Sequence, residues 1–214
     1  MYGSEWGWGT NYDQSPYHQR RNYRPILVTA PTETPITSEE AVLHLRIDTD
    51  DEDSLVDGLI DAAVAYLDGW TGRLGKCLVT QTWKQQYDLF AQRMRLPLDP
   101  VQSIASVKYQ DINNATQTIS SSNYQLLIDE RGPYVEFNYN YTLPITYAQE
   151  PPIVIQFVVG YGSADQVPNA LKQAMLLLIA NWYKNREAVL DGYRVELLPG
   201  GVEALLAPFT RPKF

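Results

Sequence analysis

The residues of this chain that could do chemistry are few and far apart. Asp48-Thr-Asp50-Asp-Glu-Asp53 has the oxygen-rich composition of a calcium loop. Such a loop needs a glycine at its sixth position to turn and a bidentate glutamate at its twelfth. Here those positions hold Asp53 and Leu59, so the run reads as helix capping. His18 and His44 are the only histidines, and neither has a Cys or second His at zinc spacing. Cys77 stands alone, which excludes an intrachain disulfide and a Cys-x-x-Cys pair. A Cys77–His44 nucleophilic pair is one reading of the thiol; a small buried apolar side chain is the other.

No serine sits in a nucleophile elbow. Gly160-Tyr-Gly162 is not followed by Gly-Lys-Ser/Thr, so it reads as a strand-to-helix turn that needs positive φ rather than a phosphate loop. Asp88, Asp99 and Glu136 are the acids on which a hydrolytic site in the middle of the chain would have to draw. None lies in an apolar run that would raise its pKa. No catalytic residue, metal or cofactor is expected.

Charge and composition narrow the classes further. Asp and Glu number 25 against 17 Lys and Arg, for a net charge of −8. That balance argues against a general nucleic-acid binder, which needs clustered cations for phosphates. It does not exclude a protein that lets DNA slide past without gripping it. The longest apolar run, Ala174–Ala180, is too short to cross a bilayer. The first residues lack a basic-then-apolar signal pattern. A soluble protein is expected, made and kept inside a cell or carried in a particle assembled there, with no membrane partner.

The elements that would position these residues can be read from periodicity. Residues 1–30, rich in Tyr, Trp, Gly and Asn, show no period and read as an irregular aromatic arm. A proline-bearing linker leads to Thr37-Ser-Glu-Glu40, a capping box that opens a short helix. A second box at Thr49-Asp-Asp-Glu52 opens a long helix, about 50–72, with Leu55, Leu59, Ala62, Ala63, Tyr66, Leu67 and Trp70 as its apolar face. From Cys77 to Val159 the residues favour strands: Cys77–Phe90 in rough alternation, then Ile104–Tyr109, Tyr124–Asp129 and Tyr134–Asn138 as short strands, with Ile153–Val159 the clearest. Residues 138–152 read as a projecting loop. After Pro168 a nearly all-apolar helix runs to about 186 and must be covered on most sides, by the chain's own sheet and helix or by a neighbouring subunit, with Leu171, Met175, Leu178 and Trp182 as the candidate subunit-packing residues. A short apolar helix, Val202–Leu206, lies between two proline stops in the tail.

The fold class expected is therefore α+β. It is a mainly helical domain, helix 50–72 packed on helix 168–186, with a central β-rich insertion at about 77–160 and a detached C-terminal helix. The domain spans 31–190, and 191–214 is a docking tail.

The order of motifs resembles the head–tail connector (adaptor) proteins of long-tailed phages, a family also carried by phage-derived gene transfer agents. The likeness runs through Ile36–Asp48, Asp53–Ala62 with Leu67–Arg73, Val158–Gly162 with Val167-Pro168 and Ala174–Arg186, and Pro199–Pro208. The leader before Arg24 matches nothing in that pattern. The resemblance implies a structural protein and not an enzyme. It implies a ring of about twelve copies below the portal protein, at the neck of a particle assembled in the bacterial cytoplasm. The ring would meet the next neck, stopper or tail component. DNA would pass through its lumen without sequence recognition. The tail would dock on the portal through Leu197, Leu198, Val202, Leu205, Leu206, Phe209 and Arg211. A DNA-packaging accessory or DNA-binding module is the alternative, and an enzyme a more distant one.

Overall fold

The chain enters its first helix through the expected capping box. Thr37 Oγ1 accepts from the Glu40 N–H at 3.1 Å, and Glu40 Oε2 accepts from the Thr37 N–H at 2.8 Å. Helix α1 (Ser38–Leu45) begins there and ends at Arg46, which takes a left-handed conformation. The computed structural model describes residues 23–147, 151–185 and 200–210. Most of the aromatic arm, part of the 138–152 loop, and Leu197, Leu198 and Arg211 therefore lie outside the described residues.

Helix α2 (Asp53–Leu67) differs from its expected form at both ends and on its buried face. A single turn of 3-10 helix over Asp50–Glu52 precedes it, and Glu52 makes no side-chain capping bond. The Glu52 carboxylate instead accepts a hydrogen bond from the Tyr183 hydroxyl, so a tertiary contact takes the group that the capping box needed. The buried residues are Val56, Ile60, Ala63 and Leu67. Leu59 and Tyr66 are partly buried, while Ala62 and Trp70 are exposed. Ala63 and Leu67 belong to the expected face and are buried. Val56 and Ile60 stand one residue, about 100°, from the expected Leu55 and Leu59, and periodicity alone cannot choose between these pairs.

Helix α3 (Asn169–Lys184) buries Leu171, Ala174, Met175, Leu176, Leu178 and Ile179. Helix α4 (Gly200–Leu206) packs on it. Together α1 to α4, with Leu74, Leu78 and Val79 from the chain that follows α2, enclose one apolar core.

The expectation of a mainly helical domain is overturned. Among the described residues, strands β1 (Ile26–Thr29), β2 (Gln81–Tyr87), β3 (Arg93–Arg95), β4 (Val101–Gln110), β5 (Thr116–Ile119), β6 (Tyr124–Asp129), β7 (Gly132–Phe137) and β8 (Ile153–Val159) form two antiparallel sheets. One is five-stranded, in the order β1-β2-β8-β4-β5; the other is three-stranded, in the order β3-β7-β6. The two sheets share a core of their own, built on Val107, Val135, Phe137, Ile155 and Phe157. A set of strands that buries its own apolar faces is a full layer, not an insertion carried by helices. β8 sits in the middle of the larger sheet and alternates buried with half-buried along its whole length.

The tail helix is not detached. Val202 is fully buried and Leu206 is 2% exposed in the helical core. An isolated seven-residue helix is too short to hold itself in water, so α4 depends on this packing.

The two layers meet where β8 turns toward α3. Gly160 has φ +127°, and a Cβ placed there would lie 2.3 Å from the Val79 carbonyl oxygen. Gly162 also has positive φ, at +134°. The turn is closed by Tyr161 N–H to Leu78 O at 3.0 Å and Thr80 N–H to Gly162 O at 2.8 Å. The expectation of a positive-φ turn here holds.

Candidate docking surface

The groups considered for chemistry are tied into separate structural contacts. Cys77 is fully buried in the sheet core. Burial, with Asp68 and Asp99 nearby, pushes its thiol far above the ordinary range, which suppresses the reactive thiolate. Asp68 accepts from the Gln81 side chain and from the Leu78 N–H, and burial raises its carboxyl above the usual value despite these bonds. Asp99 pairs with Lys76 at 2.7 Å, both side chains largely covered. Asp88 accepts from the Tyr23 hydroxyl at 2.6 Å, and Glu136 pairs with Arg93 at 2.6 Å.

A shallow depression beside the smaller sheet, about 600 Å³, is lined by Glu136, Gln92, Arg93, Gln125 and Asn138, but by neither Asp88 nor Asp99. His44 is exposed in the last turn of α1, and His18 lies outside the described residues. Among the described residues, no three His, Cys, Asp or Glu side chains are grouped as metal ligands. No described helix is long and apolar enough to cross a membrane.

What the fold does build is surface for contact. Leu171, Met175 and Leu178, expected to meet a neighbouring subunit, have no exposed area; the chain's own helical core covers them. Trp182 is partly buried, edge-on to Tyr66 with ring centroids 6.2 Å apart at 89°. In the tail, Val202 and Leu206 face inward, whereas Leu205 and Phe209 are partly buried at the rim of the same core. Arg73 pairs with Glu203 at 2.5 Å and ties α4 to the segment after α2. Residues 73 and 203 lie too far apart in sequence for any local pattern to announce the pair. Thr210 Oγ1 donates to the Leu206 carbonyl at 3.0 Å and holds the end of the tail. Leu205 and Phe209 are thus presented on a braced helix end.

Exposed apolar side chains stand elsewhere too. Ile26, Leu27 and Val28 on edge strand β1 are 42%, 43% and 46% exposed. Ile145 and Tyr139, in the loop after β7, are 79% and 96% exposed. Large apolar groups on loops and edges mark places where other chains can sit. Tyr139 and Ile145 both lie in the 138–152 connection, part of which is outside the described residues; β1 went unread because four residues between prolines carry too little pattern.

No curated protein sequence matches the chain. Its fold matches a chain in the virion of a native gene transfer agent particle, with TM-score 0.70 and 25% identity over 90% of this chain and 97% of that one. It also matches a chain in the neck of an empty gene transfer agent particle computed with C6 symmetry, with TM-score 0.71, 24% identity and the same coverage. A third match is to the neck of a native particle computed with C12 symmetry, with TM-score 0.62, 22% identity, and 88% and 97% coverage. Residues 36–149, more than half of the chain, match the family model described as phage gp6-like head-tail connector protein, and the chain belongs to that family.

Proposed function

We propose that this protein is a structural connector in the neck of a phage or phage-like particle, forming a ring below the portal that extends the DNA channel. The observation that carries this reading is the family match, joined to a fold shared along nearly the whole length of a gene transfer agent virion chain. The chemistry fits, because the candidate acids and the thiol are locked in structural bonds rather than set out for reaction. The net charge of −8 fits a channel that DNA traverses without sticking.

The tail is the proposed portal contact. With Val202 and Leu206 engaged inside the subunit, the side chains left to dock are Leu205 and Phe209, joined by Leu197, Leu198 and Arg211 from the flanking segments. The opposite side of the ring, with loops such as 138–147, would meet the stopper or tail component.

Electron microscopy of assembled particles carrying a tag on this chain tests the proposal. The tag should appear at the neck, with rotational symmetry about the particle axis. A tag found on the capsid shell or along the tail tube would overturn it. Leu205→Asp with Phe209→Asp should leave a folded chain that no longer co-sediments with portal-bearing heads.

A further inference from the structure

Among the described residues, no element packs over the outward face of the five-stranded sheet. Val154, Gln156 and Val158 point away from the sheet core and are half-buried, while the residues between them are fully buried. Strand register sets Lys84 of β2 beside Gln156, and Lys108 of β4 beside Val154, on that same face. Neither lysine has an ion-pair partner among the described residues. No outward position of β2, β8, β4 or β5 is a carboxylate, in a chain where acids outnumber cations 25 to 17.

The opposite charge is concentrated on α2. Residues 47–72 contain no Lys or Arg. Asp57 and Asp61 are exposed one helical turn apart, and between and beside them the surface is smooth, with Gly58 and Ala62 also exposed. Among the described residues, nothing crowds Gly58 so as to require a glycine there. A Cβ added there meets nothing within 4 Å, and a glycine within a helix is less stable than alanine. What the missing side chain provides is room for another backbone to approach.

We infer that in the ring the outward sheet face of one copy seats α2 of the next copy, with Lys84 and Lys108 opposite Asp57 and Asp61. The inference rests on the ring reading above. Head-to-tail closure needs two different, complementary patches on one chain. These two differ in charge and belong to different layers, and none of the four residues is in an ion pair among the described residues. Asp57 accepts a hydrogen bond from Ser38 Oγ at 2.5 Å through one carboxylate oxygen, which leaves the other for a partner. Val154 and Val158 supply apolar contact beneath the smooth helix face. The subunit contact therefore falls on the exposed side of α2, since Leu171, Met175 and Leu178 are used up within the chain.

The test produces full-length variants together with the other particle components and scores neck rings by electron microscopy. K84E/K108E and D57K/D61K should each keep the circular dichroism and melting temperature of a folded chain yet lose neck rings at least tenfold. The chain carrying all four reversals should regain rings with itself and fail to mix with wild type. Gly58→Ala should raise the melting temperature of the free chain while lowering ring occupancy, a split that a merely structural glycine would not show. Wild-type ring occupancy in K84E/K108E, or no recovery in the folded four-fold variant, overturns this interface and leaves the ring standing. Wild-type particles with no ring of this chain at the neck overturn the ring reading and the interface with it.

Discussion

Asp68, which caps the end of α2, accepts hydrogen bonds from the Gln81 side chain on β2 at 3.0 and 3.2 Å. The same carboxylate takes the Leu78 N–H at 2.6 Å. One acid thus stitches the helical core to the sheet core. A second stitch, Lys76 with Asp99, lies beside it, where the Cys77 N–H also donates to the Asp99 carbonyl at 3.0 Å.

The Asp68 stitch has a pH signature. Burial raises its carboxyl above the ordinary value, so the folded state holds this proton more tightly than the unfolded chain does. Its contribution to stability is fully present below the unfolded pKa and declines as pH rises through the raised value. Asp68→Asn removes the titration. The stability of wild type minus that of Asp68→Asn, from urea unfolding at several pH values, should therefore fall with rising pH. A difference that rises with pH contradicts the assignment. Asp68→Ala leaves two donors without their acceptor and should cost about 1–3 kcal/mol at neutral pH.

Asp129 behaves in the opposite sense. Its pair with Arg95, together with the Arg131 N–H, holds its carboxyl down to about 2. The stabilisation is present above the ordinary aspartate range and is lost as pH falls through about 2. The pair is exposed, so salt should weaken it. Carbon-13 NMR titration of the carboxyl should show the low value in wild type and a return toward about 3.9 in Arg95→Gln.

Gly160 allows no side chain. Alanine at φ +127° is strained by about 1–3 kcal/mol, and its Cβ would press into the Val79 carbonyl at 2.3 Å. The clash falls on backbone, which cannot step aside as a side chain would. Gly160→Ala should lower the denaturation midpoint by more than the strain alone accounts for. Gly75→Ala, where a Cβ meets nothing within 4 Å at φ +60°, should lose only the strain.

The tail helix belongs to the fold. Leu206→Ala should destabilise the isolated chain by about 2–5 kcal/mol, as for other buried leucines. Leu43→Ala, at a side chain 80% exposed, should change stability by less than about 0.5 kcal/mol. Removing residues 200–214 should lower the melting temperature clearly. An unchanged melting temperature would mean that α4 is only a visitor on α3.

Cys77 gives a direct readout of core integrity. With its thiol buried and far above its usual pKa, it should resist a thiol reagent such as Ellman's in native buffer. In denaturant it should react with one equivalent.

The sequence by itself determined those parts of the molecule whose physics is local. The α1 capping box, the apolar α3 and the positive-φ turn at Gly160 each depend on residues within a few positions of one another. The strands β6 and β8 were legible for the same reason, and the family could be read from motif order. Tertiary structure decided the rest. Either face of α2 satisfies a helical period, and only packing on α3 selected Val56 and Ile60 over Leu55 and Leu59. β3 and β5 have one buried apolar residue each and become strands because longer neighbours pair with them. The fate of the tail helix, turned inward through Val202 and Leu206, is a contest between its own core and a partner. The contact surface, too, depends on which apolar faces the fold has already consumed, and that is known only once every element is in place.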